Sequence, residues 1–221
     1  MKTCIISCET MRRELEQGCA ACAVPYPVFW IDASLHNQPE QLLPAMQACV
    51  DQADSYERIL FATGFCGSAL CGLQARAAEL IIPRTDDCIS LLLGSYARRR
   101  ALSTDGGIYF LTDGWLKSDR SIIAEYGHAC RRYGPDRAKK VFRSMFAHYT
   151  RLAVIETGAY DPEPVFAAAA QLAEPLHLQC ESLPADDTLL HALLTGPWPE
   201  AQFLTLPPGR QISRADLRPL Y

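Results

Sequence analysis

Ten cysteines and five histidines stand out in this chain of 221 residues. Thiolate and imidazole are the side chains that hold soft metal ions or attack electrophiles near neutral pH. The segment Gly64-Phe65-Cys66-Gly67-Ser68-Ala69-Leu70-Cys71-Gly72 is the most informative. Its glycines let the backbone bend sharply or approach a ligand closely. A cysteine between two of them, where a helical turn begins, meets unpaired backbone N–H groups that favour thiolate over thiol. Cys88 is similarly placed, because Asp86 can cap a helix with Cys88 in its first turn. Asp86 and Asp87 oppose a thiolate there and Arg84 supports one, a balance the sequence leaves open. Cys66 and Cys88 are therefore the candidate nucleophiles. Together with Cys8, and His36 as a weaker fourth, they are also a candidate tetrahedral set for zinc. Three or four thiolates equally suit an iron–sulfur cluster. The plainer alternative for each cysteine is a small residue packed under a turn, since free cysteine behaves as a hydrophobe.

The remaining cysteines read as ordinary. Cys19-Ala-Ala-Cys22 has redox or metal spacing, but no second pair accompanies it, and it precedes a strand, on the opposite edge from the strand ends. Cys71 could resolve a disulfide with Cys66, though packing explains it as well. Cys4, Cys49 and Cys180 lie in apolar patterns, and His128 with Cys130 near a helix end. Two other turns could line a pocket. Thr112-Asp113-Gly114-Trp115 offers a hydroxyl, a carboxylate and an aromatic plane. Thr157-Gly158, with Tyr160 nearby, could present backbone N–H groups to an anion. There is no Walker loop, GxGxxG fingerprint, GxSxG elbow or HExxH helix, which removes the commonest enzyme assignments.

These residues acquire a common location only through the elements that carry them. Strand-like runs fall at 3–7, 27–33, 58–63, 78–83, 107–112, 151–156, 176–182 and 202–206. Helical spacing covers 9–17, 39–51, 86–95, 118–133, 135–149, 162–173 and 186–194, with Gly134-Pro135 as a breaker. Strands alternating with helices predict an α/β fold with a mostly parallel sheet in a Rossmann-like three-layer architecture. A single α/β domain over 1–221 is expected, with a possible subdivision near 114–134 into two pseudo-repeated halves. The tail from Ile212 reads as a surface segment. In an open parallel sheet, ligands bind outside the carboxyl ends of the strands. That rule brings Cys8, His36, Cys66 and Cys88 to one edge from four turns.

A net charge of −4 argues against a broad basic surface for nucleic acid. Arg98–Arg100 and Arg131-Arg132 are local runs, read as solvated faces or as a local anion site. No run approaches the roughly 20 apolar residues of a membrane span, and residues 1–17 lack the apolar core and cleavage site of a signal peptide. The expected location is the cytoplasm, where five structural disulfides would be out of place.

The combined pattern resembles a prokaryotic family defined as a domain of unknown function. Its marks here are Cys8, Leu35-His36-Asn37-Gln38-Pro39, Gly64-Phe65-Cys66-Gly67 and Ile82-Pro83-Arg84-Thr85-Asp86-Asp87-Cys88 with Leu91–Ser95. Further along are Tyr109–Trp115, His148–Leu152 and Ile155–Asp161. The match spans roughly residues 4 to 195, and Cys19, Cys22, Cys71 and Cys130 fall outside its pattern. Members are often encoded near corrinoid-dependent methyltransferases for methylated amines. The resemblance thus implies a role in one-carbon transfer, with a corrinoid, a methyltransferase or a corrinoid protein as possible associates. Three readings follow: a metal- or cluster-binding protein of corrinoid-linked metabolism, a metal-free cysteine nucleophile acting as transferase or hydrolase, and a binding module for a small anionic ligand or a methyltransferase partner.

Overall fold

The computed structural model describes residues 1–117 and 121–217, apart from the side chains of His36, Asn37 and Pro39. The chain divides into two compact units, Met1–Arg99 with Asp186–Tyr221, and Arg100–Ala185. It is an α/β protein in which helices alternate with mostly parallel strands.

The first unit is built on β1 (Thr3–Cys8), β2 (Val28–Ile31), β3 (Arg58–Ala62), β4 (Glu79–Pro83) and β8 (Phe203–Leu206), in the order β2-β1-β3-β4-β8. Every residue of β1 is buried, which suits its run of small and apolar side chains to a central strand covered on both faces. Helix α1 (Arg12–Ala21) follows β1, and α2 (Pro39–Gln52) follows β2. Leu42, Met46 and Val50 of α2 pack with Cys4, Ile6, Ile59, Phe61, Leu80 and Ile82 on one face of the sheet. The alternate residues Ile5, Leu60 and Ile81 are fully buried on the other face. There α1 packs beside α9 (Thr188–Thr195), which also lies against β3 and β4. Three layers result.

The first four strands are parallel, and β8 alone is antiparallel to its neighbour. The reason is local. The chain leaving α9 reaches the sheet at the carboxyl end of β4, where the Arg84 N–H donates to the Gln202 carbonyl at 2.8 Å, and it must run back from there. The expected surface tail is partly tied down. Ile212 is 2% exposed in the core, and backbone hydrogen bonds join it to Gly72 and Leu73. Residues 218–221 of that tail lie outside the described residues.

Two short helices, α3 (Cys88–Leu92) and α4 (Tyr96–Leu102), lead into the second unit. Its sheet is β5 (Gly107–Leu111), β6 (Tyr149–Glu156) and β7 (Gln179–Pro184), parallel in the order β5-β6-β7. Helices α5 (Asp113–Leu116), α6 (Ile122–Tyr133), α7 (Pro135–Met145) and α8 (Pro162–Leu176) complete it. Ser121 caps α6 by accepting from the Ala124 N–H at 3.2 Å. Gly134, with a φ of 84°, ends that helix, and Pro135 opens the next. Leu172, Ala173 and Leu176 prolong the buried stripe of α8. The helix therefore runs past the expected end at 173 and delays β7 to Gln179.

Candidate functional site

The strand order of the first unit reverses between β1 and β3. The chain leaves β1 for β2 on one side and leaves β3 for β4 on the other. Such a switch point opens a crevice outside the carboxyl ends of the two strands. Cys8 is the last residue of β1, and Thr63 follows the last residue of β3. Both line a small cavity with Ile31, Leu42, Met46, Cys66 and Cys88. Its volume is ≈ 10 Å³, about the room of one water-sized sphere. Three cysteines from three different turns thus share a space of atomic size.

Cys66 and Cys88 reach that space because two loops are fastened together. The Phe65 N–H donates to the Thr85 carbonyl at 2.7 Å, and the Cys66 N–H to the Asp86 carbonyl at 2.8 Å. Gly64 makes this approach possible. A Cβ at residue 64 would lie 2.3 Å from the Asp87 backbone nitrogen and 2.4 Å from its Cα. Cys66 itself holds a left-handed conformation with a φ of 48°, one that non-glycine residues adopt only where their surroundings hold them in it. Asp87 then caps α3 through its carboxylate, which accepts from the Ser90 N–H at 2.9 Å and from the Ser90 hydroxyl at 2.8 Å. The cap is Asp87 rather than the expected Asp86, and Cys88 is the first helical residue.

The thiols are held protonated. Burial pushes the Cys66 thiol up to about 12, helped by Cys8 and Asp87 and opposed by a backbone hydrogen bond at Gly64. Burial raises Cys88 well above the ordinary thiol value, and Cys8, Asp87 and Cys66 raise it further. Cys8 is also raised by burial, against the hydrogen bond that its sulfur accepts from the Thr10 hydroxyl at 3.2 Å. Glycine turns and a helix start predict a thiolate at Cys66, and at Cys88 they are set against Asp86 and Asp87 in a balance the sequence leaves open. Desolvation outweighs those backbone dipoles at the buried Cys88 and also at Cys66, which is itself partly exposed. Arg84 is not among the groups that shift either thiol, and its Nε donates to the Glu200 carbonyl at 2.8 Å. The three sulfurs influence one another electrostatically, yet among the described residues no group of three or more His, Cys, Asp or Glu stands ready to hold a metal ion.

His36 belongs by its backbone to the short 3₁₀ turn Ala33–Asn37, but its side chain lies outside what is described, so its place as a fourth ligand is left to experiment. Thr112, Asp113, Trp115, Thr157 and Tyr160 all belong to the second unit, at the carboxyl ends of β5 and β6. Asp113 pairs with Lys117 at 2.9 Å. The Thr157 hydroxyl accepts from the Ala159 N–H at 3.3 Å. Tyr160 packs in the core and donates its hydroxyl to the Ile155 carbonyl. Thr112 is buried, and its hydroxyl has no hydrogen-bond partner among the described residues. Cys19 and Cys22 lie at the carboxyl end of α1, and no disulfide joins any cysteine among the described residues. Arg98 pairs with Asp186 at 3.6 Å and Arg99 with Asp87 at 3.0 Å, so these two members of the arginine run have structural partners.

Thr63 was not singled out in the sequence, whereas Gly64 was, as one of the glycines that permit a close backbone approach. The signal was present in the strand-end rule itself, because the residue after a switch-point strand faces the crevice whatever its type.

The family described as Protein of unknown function (DUF1638) has a model that matches residues 30–194, and the chain belongs to this family. The match includes Cys66 and Cys88 and begins after Cys8. No curated protein and no solved structure matches the chain. No helix among the described residues is long and apolar enough to cross a membrane.

Proposed function

We propose that the chain binds a soft metal ion through Cys8, Cys66 and Cys88 and serves corrinoid-linked one-carbon metabolism in the cytoplasm. The observation that carries the first half is the convergence of three cysteine side chains on one cavity at the switch point of a parallel sheet. Protonated, desolvated thiols fit this reading. A cation takes the place of their protons and relieves the burial of the thiolate charge, which is how metal affinity couples to thiol ionisation.

The size of the cavity favours one ion, with zinc as the choice that suits three thiolates, over an iron–sulfur cluster or a corrinoid seated at the same place. Such an ion would supply Lewis-acid polarisation of a bound group. Cys8, Cys66 and Cys88 would hold it, Thr10 would orient the Cys8 sulfur, and Ile31, Leu42 and Met46 would limit the access of water. The raised thiol values weigh against a metal-free nucleophile, since little thiolate forms at neutral pH. The one-carbon setting, with a methyltransferase, a corrinoid protein or a small-molecule ligand as partner, rests on the family resemblance alone.

Metal and sulfide analysis of protein purified without oxygen, with a visible spectrum, tests this. The expected result is about one metal ion per chain without acid-labile sulfide, lost in Cys66→Ser. Metal-free protein whose thiols all alkylate freely would sink the proposal.

A further inference from the structure

The second unit gathers most of the exposed apolar bulk of the chain. Among the described residues the exposed large apolar side chains are Met1, Tyr133, Val141, Met145 and Tyr149, and four of these five fall within residues 133–149. Scattered singly, such side chains need no explanation, but a cluster rimmed by polar groups marks an interaction surface. Arg137, Val141 and Met145 stand four residues apart on α7, along the ridge by which helices pack against one another. Tyr133, the last residue of α6, extends that ridge, because the Arg137 guanidinium lies over its ring at 5.8 Å. Arg132 lies over the same ring at 5.3 Å. Val141 and Met145 are 50% and 54% exposed, whereas Ala138 and Phe142 of the same helix are buried. The helix thus carries apolar side chains that the unit's own core does not use.

The charge around the ridge is one-sided. Between Glu125 and Glu156 the chain has seven Lys and Arg and a single acid, Asp136. Arg131, Arg132, Arg137 and Lys140 are exposed, and none of them forms an ion pair among the described residues. The net charge of the chain is −4, so this concentration is local. We propose that the α6–α7 ridge docks an acidic amphipathic helix of a partner protein, with carboxylates toward Arg132, Arg137 and Lys140 and apolar residues against Tyr133, Val141 and Met145. Tyrosine and arginine carry much of the binding energy at protein interfaces, methionine adapts its shape to a partner, and guanidinium matches carboxylate in two parallel hydrogen bonds. A second copy presenting the same face would set base against base. A membrane would gain little, because Ala138 and Phe142 are spent on the core and only Val141 and Met145 are left to insert. The surface is independent of the cysteine cavity, whose residues belong to the first unit.

The test titrates the full chain into fluorescent helical peptides of about 18 residues, roughly five turns, and reads anisotropy. One peptide has leucines at helical spacing and glutamates elsewhere; in its counterpart lysines replace the glutamates. Wild type should bind the glutamate peptide at least about tenfold more tightly than the lysine peptide. Val141→Ser with Met145→Ser should weaken that binding about tenfold. Arg132→Glu with Arg137→Glu should weaken it as much and also flatten its dependence on salt. All four side chains are exposed, so both variants should keep the thermal midpoint of wild type. Equal affinity for the two peptides, or an affinity that neither double variant lowers, overturns the proposal. Binding to phosphatidylglycerol vesicles without binding to the glutamate peptide assigns the ridge to a membrane and overturns it. A dimer in sedimentation that Val141→Ser with Met145→Ser abolishes assigns the ridge to a second copy and overturns it equally.

Discussion

At the scale of the residue, the site is governed by the contest between burial and backbone dipoles over each thiol. The outcome has a pH signature. Cys66 keeps its proton in the folded chain up to about 12, against an ordinary value of 9.0. Between those two values the unfolded chain has released the proton and the folded chain has not, so rising pH favours unfolding. Stability from this group is fully present below about 9 and is lost as pH climbs toward 12. Cys4 contributes in the same window, and Tyr109 in the window from its ordinary 10.0 to about 12. Urea midpoints measured from pH 8 upward under reducing conditions should therefore fall, and fall less steeply in Cys66→Ala. An identical slope in the two proteins would show that the Cys66 thiol is not desolvated in the folded chain. Residue types marked Cys8, Cys66 and Cys88 as the interesting cysteines. Their charge state was not legible, because sequence shows which dipoles are nearby and not how much water is lost.

At the scale of the element, the site depends on two loops fastened edge to edge, and on one missing side chain. Gly64→Ala would drive a Cβ into the Asp87 backbone, which forces the 64–67 turn away from the start of α3. Overpacking of this kind costs about 1–3 kcal/mol, and this substitution should lie at the upper end, since the opposing atoms are backbone. Gly67→Ala is the control. Its φ of 71° makes the change unfavourable, but no atom crowds the added methyl. Denaturation of both variants, with metal content read in parallel, should show Gly64→Ala losing stability and metal while Gly67→Ala retains its metal. The reverse order would refute the fastening role. The strands were legible, since apolar runs of four to eight residues between turn signals mark parallel strands well. The pairing of the two loops was not, because their hydrogen bonds join residues about 20 positions apart and involve only backbone atoms. Helix ends were legible where a cap existed, as at Gly134, and not at α8, where the buried stripe simply continued.

At the scale of the whole molecule, the chain is two units of unequal continuity. Residues 100–185 form an uninterrupted unit with three parallel strands and a core of Leu111, Leu152, Val154, Val165, Leu172 and their neighbours. Excised, this segment should fold cooperatively with a stability of about 0.05–0.15 kcal/mol per residue. A broad, non-cooperative thermal transition would show that it needs the rest of the chain. The division itself was not legible, because no composition shift or linker marks residues 99 or 185, and the helical pair taken as the natural break lies within the second unit. The discontinuity of the first unit bears on how the protein is made. Its sheet is finished by β8, which emerges from the ribosome about 120 residues after β4. At about 5–20 residues per second that is a delay of roughly 6–24 s. Through that interval β4 shows an unpaired edge, the kind of surface on which nascent chains aggregate. Biosynthesis therefore completes the second unit before β8 closes the cysteine-bearing sheet.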